Sequence, residues 1–264
     1  MCRWIAYRGR SVSLATYITE PSHSLISQSH SAKESASPTN GDGIGLGWFG
    51  EYPEPGLYRD VRPAWSDDNL THLCRHIRSH LFFGHVRAAT GTPVTRTNCH
   101  PFSHGRWLFM HNGFVGRWQD VRRKVESLIP DHIYRSRLGT TDSEALFLSI
   151  LGAEPHSDPV GAVAKVVTTV SGILDATAPG IPFRFSAALS DGKQLLAFRY
   201  AHNDCENSLY YQQQSGGLIV ASEPLDPQDE RWREIPSGHV LIDASDSVGP
   251  RLVPFMKHRQ LAAA

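Results

Sequence analysis

Along this chain, apolar and polar positions form short blocks whose period alternates between two and that of a helix. Trp4-Ile5-Ala6-Tyr7 predicts a buried strand close to the start. Residues 22–42 interrupt the pattern. Seven serines lie between Ser22 and Ser37, and Thr39-Asn40-Gly41-Asp42-Gly43 closes the stretch, so a loop long enough to carry function is expected. Ile44–Phe49 (IGLGWF) then reads as a strand whose glycines signal a bulge or a close backbone approach. Leu70, Leu73 and Ile77 recur at helical spacing and predict a helix over Trp65–His80, capped by Ser66 or Asp67. Leu81–Ala88 and Trp107–His111 are predicted strands on either side of a polar loop, Thr90–Gly105.

Val115–Leu128 predicts a helix stopped by Pro130. Another, capped by Thr141 or Asp142, runs through Leu151 with acids where the helix dipole favours them. Asp158–Ala176 carries the longest helical pattern. The last third changes character. Phe183–Leu189, Leu195–Tyr200, Ser208–Gln212, Leu218–Ser222 and Val240–Ile242 are short strands between turn signals. No repeat or linker divides the chain. The expectation is one α+β domain over residues 2–264, built on a large antiparallel sheet or two stacked sheets covered by helices.

Composition narrows the function. The 264 residues correspond to about 1.8 typical domains, so length alone leaves one or two open. Apolar residues make up 40% and charged residues 20%, an ordinary globular balance. Twenty-six Lys and Arg offset 26 Asp and Glu, which argues against gripping nucleic acid or anionic membrane by bulk charge. No run approaches about 18 consecutive apolar residues, so no membrane span is expected. The four cysteines (Cys2, Cys74, Cys99 and Cys205) form no CxxC pair, and the start lacks a signal peptide's apolar stretch. A cytoplasmic protein with reduced thiols is the expectation.

One thiol stands apart. Removal of Met1 would make Cys2 the first residue, with a free α-amine of pKa about 7.7–8.0 on the residue that carries the thiol. Such an amine can serve as base for its own nucleophile. Arg87, at a strand end in Gly84-His85-Val86-Arg87-Ala88-Ala89-Thr90, offers a planar fork that suits a carboxylate. In His111-Asn112-Gly113, a side-chain amide and the next backbone N–H can converge on one oxygen, as an oxyanion site requires. Thr141-Asp142-Ser143-Glu144 offers an acid for an ammonium group. Nucleophile, oxyanion site, carboxylate receptor and ammonium receptor together suit an amino acid with an electrophilic carbonyl along its side chain. Each piece also has a plainer reading: a surface ion pair, a turn dipeptide, a helix cap.

Taken in order, these segments resemble the class II glutamine amidotransferases, which belong to the N-terminal nucleophile hydrolases. The resemblance rests on Met1-Cys2-Arg3, on Asn40 through Trp48, on Gly84 through Thr90, on Asn98-Cys99-His100-Pro101-Phe102, on His111-Asn112-Gly113 and on Thr141 through Glu144. It implies a four-layer αββα sandwich of two mainly antiparallel sheets, and hydrolysis of a γ-glutamyl amide through a thioester on Cys2. It further implies an oxyanion hole at Asn112 and Gly113. The glutamyl carboxylate would be held by Arg87 with Thr90 nearby, the ammonium by Asp142, and His111 joins the substrate-binding set. No cofactor or metal is implied. The chain looks most similar to the short free-standing branch, which acts on γ-glutamyl compounds in ergothioneine synthesis and glutathione breakdown. Cys99 departs from the Thr expected before His-Pro-Phe, which would place a second thiol near the site. The chain ends at Ala264 without a synthase domain, so a separate subunit takes the ammonia or water alone completes the reaction.

Two competing functions follow from the same residues. One is a non-catalytic or ammonia-supplying subunit that uses the glutamyl pocket for binding or assembly. The other is a metal-binding regulator built on His72, His76 and His80, which share a face if the predicted helix reaches His80.

Overall fold

The computed structural model describes residues 2–34, 38–204, 206–226, 228–245 and 249–256. Met1, Cys205 and residues 35–37 of the serine-rich stretch lie outside the described residues. The chain begins with β1 (Arg3–Ser13), followed by two short helices, α1 (Ala15–Ile18) and α2 (Leu25–His30). Strands β2 (Ile44–Trp48) and β3 (Gly56–Asp60) precede α3 (Asp68–His76), which leads into β4 (Arg78–Val86), β5 (Phe102–His104) and β6 (Trp107–Val115). Four helices come next: α4 (Trp118–Glu126), α5 (Asp131–Tyr134), α6 (Asp142–Gly152) and α7 (Pro159–Thr177). The chain closes with β7 (Phe183–Ser190), β8 (Gln194–His202), β9 (Tyr210–Gln214), β10 (Gly217–Ala221), β11 (Arg233–Glu234), β12 (His239–Ala244) and β13 (Arg251–Pro254).

The strands form two antiparallel sheets, ordered β11-β9-β10-β1-β4-β2-β3 and β13-β12-β8-β7-β6-β5. Three apolar layers hold them. Trp4, Ala6, Phe83, Leu108, Met110 and Val220 fill the space between the sheets. Ile5, Tyr7 and Phe82, one residue out of phase, pack outward against Leu14, Ile18, Leu25 and Leu70 of the α1–α3 segment. On the far side, Phe109, Phe185 and Phe198 pack against Phe147 of α6 and Val163 and Val167 of α7. The period-2 alternation of β1 and β6 thus assigns every residue to one layer. The result is the α-β-β-α order, in agreement with expectation.

Several boundaries differ from those predicted. The helical spacing of Leu70, Leu73 and Ile77 overruns. α3 ends at His76, and the chain from Arg78 pairs with β1, Ser13 opposite Arg78 and Val12 opposite Ser79. His80 therefore lies on a strand and His72 and His76 on a helix, which removes the shared histidine face. The serine-rich stretch contains α2, whose Ser24 side chain accepts the Ser27 N–H at 3.2 Å. Its buried residues are Leu25, Gln28 and Ser29, so a single apolar anchor is too little to mark the helix in the sequence. Val115 belongs to β6, and α4 starts only at Trp118. Helix α7 is long and apolar enough to cross a membrane, the only such helix among the described residues. It lies instead over the second sheet, with Val163, Val166, Val167, Val170 and Leu174 buried.

Candidate active site

The nucleophile candidate follows from the register of β1. Trp4 pairs with His85 and Arg3 with Val86 of β4, so the next step along the ladder brings Cys2 to Arg87. By alternation, Cys2, Trp4, His85 and Arg87 face the space between the sheets, whereas Arg3 faces outward. The Cys2 sulfur accepts the Ala88 N–H at 3.4 Å, and the thiol lies 3.6 Å from the Ala88 carbonyl. Cys2 keeps some solvent exposure although protein atoms crowd it. Burial pushes the thiol pKa up, and the Ala88 N–H with the cationic Arg87 and Arg3 pulls against that rise.

Arg87 is buried, with Nη2 donating to Thr92 Oγ1 at 2.7 Å and Nη1 without a partner in the chain. Thr90, expected near the bound carboxylate, is exposed, and the hydroxyl on the guanidinium is that of Thr92. The backbone of Arg87 is fixed by Gly43 O, which accepts its N–H at 2.8 Å, and by Asp42 N, which donates to its carbonyl at 2.9 Å. Asp42 Oδ2 also accepts the Ala89 N–H at 2.7 Å.

The glycine pattern of β2 accounts for the next piece. A Cβ on Gly45 would lie 1.9 Å from His100 O, and one on Gly43 would lie 2.6 Å from the Cys99 sulfur. Bare backbone there seats Cys99, His100 and Pro101 against the sheet, the close approach that the strand glycines signalled. Cys99 is buried, its sulfur 3.4 Å from Asp60 O and 3.5 Å from Thr95 O. The ring of His100 packs against His85 with centroids 4.2 Å apart and planes tilted by 32°, and neither of its nitrogens has a partner. Burial depresses both: His85 falls to about 3 and His100 well below its ordinary value, so both are neutral near pH 7.

Strand β6 divides its polar residues between two faces. Asn112 is buried on the side of Met110, towards the other sheet, and its Nδ2 has no partner. Its carbonyl accepts Asn207 Nδ2 at 2.9 Å. A Cβ on Gly113 would come within 2.0 Å of Arg184 O, so the next residue must be bare backbone. His111 points the opposite way. Its Nδ1 meets Ser143 Oγ at 2.9 Å, its Nε2 meets Arg184 O at 3.1 Å, and its ring packs on Phe185. With both nitrogens occupied under α6, the His111 ring supports the strand and offers nothing to the inter-sheet space. Its backbone carbonyl does reach inward, 3.3 Å from His85 Nε2.

Asp142 starts α6 just after the Thr141 cap. One oxygen accepts the Val115 N–H at 2.7 Å and the other the Ser143 N–H at 2.7 Å. Asp142 thus pins the end of β6 to the helix. Glu144 turns back to accept the Leu138 and Gly139 N–H groups at 2.9 and 2.7 Å and pairs with Arg137. Asn98 holds the same turn by accepting the Thr140 N–H at 2.8 Å. Thr92, Asn207, Asp42, Asn98 and Glu144 were not predicted as site residues. Of these, Asp42, Asn98 and Glu144 sit inside the recognised motifs, which was their only sequence signal.

A family model described as class II glutamine amidotransferases matches residues 14–214. The probable glutamine amidotransferase DUG3 of Saccharomyces cerevisiae is 31% identical, across 91% of this chain and 81% of that one. The gamma-glutamyl-hercynylcysteine sulfoxide hydrolase of Mycolicibacterium smegmatis is 30% identical, across 94% of this chain and 97% of its own length. Among solved structures, a glutamine aminotransferase class-II domain protein from Silicibacter pomeroyi aligns with TM-score 0.76 and 36% identity, over 97% of this chain and all 100% of that one. The glutamine phosphoribosylpyrophosphate amidotransferase of B. subtilis, at TM-score 0.67 and 14% identity, shares the fold.

Proposed function

This chain belongs to the class II glutamine amidotransferases, and on that premise we propose that it hydrolyses a γ-glutamyl amide through a thioester on Cys2. The observation that carries the reading is one shared face. The Cys2 thiol, the unpartnered Arg87 Nη1 and the unpartnered Asn112 Nδ2 all turn into the space between the sheets.

The steps follow from chemistry. Removal of Met1 exposes the Cys2 α-amine, which takes the thiol proton as the sulfur attacks the γ-carbonyl carbon. The carbonyl electron pair moves onto oxygen, where Asn112 Nδ2 and the Gly113 N–H stabilise it. Collapse breaks the C–N bond, and the α-ammonium returns the proton to the departing amine. Water, deprotonated by the same amine, attacks the thioester, releases glutamate and restores the thiol. Arg87 binds the glutamyl α-carboxylate, and Asp142 takes its ammonium through lone pairs beyond those given to Val115 and Ser143.

The substrate class is a small γ-glutamyl compound, glutamine or a γ-glutamyl derivative. We read residues 2–264 as one domain working in the cytoplasm without a cofactor. Replacing Cys2 with Ala should abolish glutamate release from glutamine, glutathione and γ-glutamyl amines while leaving the fold intact, and full activity in that variant would sink the reading. Intact-mass spectrometry gives a second check: active protein that retains Met1 would contradict the α-amine step. A folded, processed chain that releases no glutamate from any member of that panel would favour a binding or ammonia-supplying subunit instead.

A further inference from the structure

The outward face of β1 holds a second polar cluster, centred on Glu223 just beyond β10. Glu223 is 1% exposed at its side chain, so it touches no substrate. Its Oε1 lies 2.6 Å from Arg3 Nε and accepts the Glu34 N–H at 2.8 Å. Its Oε2 lies 2.8 Å from His23 Nε2 and accepts the Lys33 N–H at 3.0 Å. Arg3, fully buried, extends this reach in two directions. Nη1 donates to the carbonyl of Cys2 at 3.3 Å, and Nη2 donates to the carbonyl of Glu34. Asp42, further along the chain, holds Arg87 O and Ala89 N on either side of the residue that meets the thiol. A buried ion pair is a weak source of stability compared with apolar packing of equal volume. What it does supply is directional contacts of fixed geometry.

Resting on the hydrolase reading above, we propose that Glu223 is a positioning residue, which sets Cys2 against residues 33–34 through Arg3 and so fixes where the nucleophile stands. Without the carboxylate, the Arg3 guanidinium loses its anchor and the Cys2 carbonyl loses its fixed donor. The turn at Lys33 and Glu34 then separates from the start of β1.

The test uses full-length protein with Met1 removed. In Glu223→Gln, which keeps the side-chain volume and loses the charge, kcat for glutamate release should fall about tenfold to a hundredfold, the scale for a misplaced reacting group. KM should stay within about threefold, because no substrate contact is lost. A second readout needs no substrate: the pH midpoint of Cys2 alkylation by iodoacetamide, followed by mass spectrometry. The charged and titratable groups on the thiol's own face are Arg87, His85 and Cys99, with its own α-amine, and Arg3 acts on it from the opposite face, next along the chain. Freeing Arg3 from its carboxylate strengthens the cation beside Cys2, so the midpoint should move to lower pH. A kcat within about twofold of the parent, or a midpoint that does not fall, overturns the proposal.

If Glu223→Gln does not fold, His23→Ala carries the test. His23 borders a surface cavity of about 540 Å³, so its truncation widens that cavity instead of hollowing the core. A kcat loss of about threefold or more at unchanged KM supports the proposal, and an unchanged kcat overturns it. Failure of the hydrolase reading looks different: there Cys2→Ala stays active. An inactive Cys2→Ala beside a fully active Glu223→Gln overturns only the role of Glu223.

Discussion

Arg3 and Cys2 are adjacent in the chain and stand on opposite faces of one sheet, each in a polar cluster of its own. The outward cluster is closed. Both oxygens of Glu223 are taken by Arg3, His23 and two backbone N–H groups, although Arg3 Nε, 2.6 Å away as an ion pair, and the neighbouring Gln28 Oε1 make no aligned hydrogen bond. The inter-sheet cluster is open. Arg87 Nη1, Asn112 Nδ2, His85 Nδ1 and both nitrogens of His100 are buried without a partner in the chain. Buried polar groups left unpaired cost free energy, so natural proteins keep few of them. Five such atoms share the face of the only half-exposed thiol among the described residues, where a ligand's polar groups could meet them. The closed cluster holds the chain, and the open one awaits an occupant.

That contrast breaks or holds on measurement. Removing the centre of the closed cluster should have the largest effect on stability. Glu223→Ala leaves Arg3 buried and unpaired, at a cost of about 3–5 kcal/mol in chemical denaturation. A loss below about 1 kcal/mol would show that water or rearrangement relieves the charge. In the open cluster the effect should fall on catalysis. Asn112→Ala removes an amide bonded to nothing in the free protein, so stability changes little while kcat drops by about 2.7–4 kcal/mol, or a hundredfold to a thousandfold. Equal losses in stability and turnover would erase the distinction.

Arg87→Met comes next. Loss of a charged hydrogen bond to the substrate carboxylate is worth about 1.5–3 kcal/mol, read as a rise in KM of roughly tenfold to a hundredfold. The smallest effect, taken per titrating group and pH unit, is that of pH. Burial depresses His85 to about 3 and also lowers His100 and His111, so the unfolded chain binds more protons than the native one below pH 6.5. Stability should therefore decline as pH falls from about 6.5, by about 1.4 kcal/mol per pH unit for each histidine still neutral. Glu223 enters lower. Burial would raise its pKa, but the contacts from His23, Arg3, Lys33 and Glu34 outweigh burial and hold it below 4.5. Its contribution is present above 4.5 and is lost as pH falls through its folded value. Urea midpoints unchanged between pH 7 and 5 would contradict the histidine part of this account.

The open cluster was far easier to read in the sequence than the closed one. Cys2, Arg87 and Asn112 stand in motifs a few residues long, beside or within strands whose alternation is plain. Helix α7 came within a residue of its predicted limits because Asp158 caps it and its apolar spacing is unbroken. Glu223 carries no local signal: an acid after a strand resembles any surface acid until the fold brings Arg3 across from the other end of the chain. The helix predicted to reach His80 failed for a related reason. Its spacing was helical, but pairing of Arg78 and Ser79 with β1 outweighs local preference. Which hydroxyl meets Arg87, that of Thr90 or Thr92, depends on the path of one turn, and composition says nothing about that path.

The place of Glu223 in the chain orders events during synthesis. The amino terminus leaves the ribosome first, and β1 then gains β4 on one side while its other edge waits for β10. Residue 223 arrives more than 200 residues after Cys2. On the reading proposed above, an aminopeptidase would act while the β10 edge of β1 is still uncovered and Arg3 still lacks Glu223. Docking of β10 and Glu223 then fixes the start of β1, so under the proposed mechanism the Cys2 thiol is trimmed before it is set.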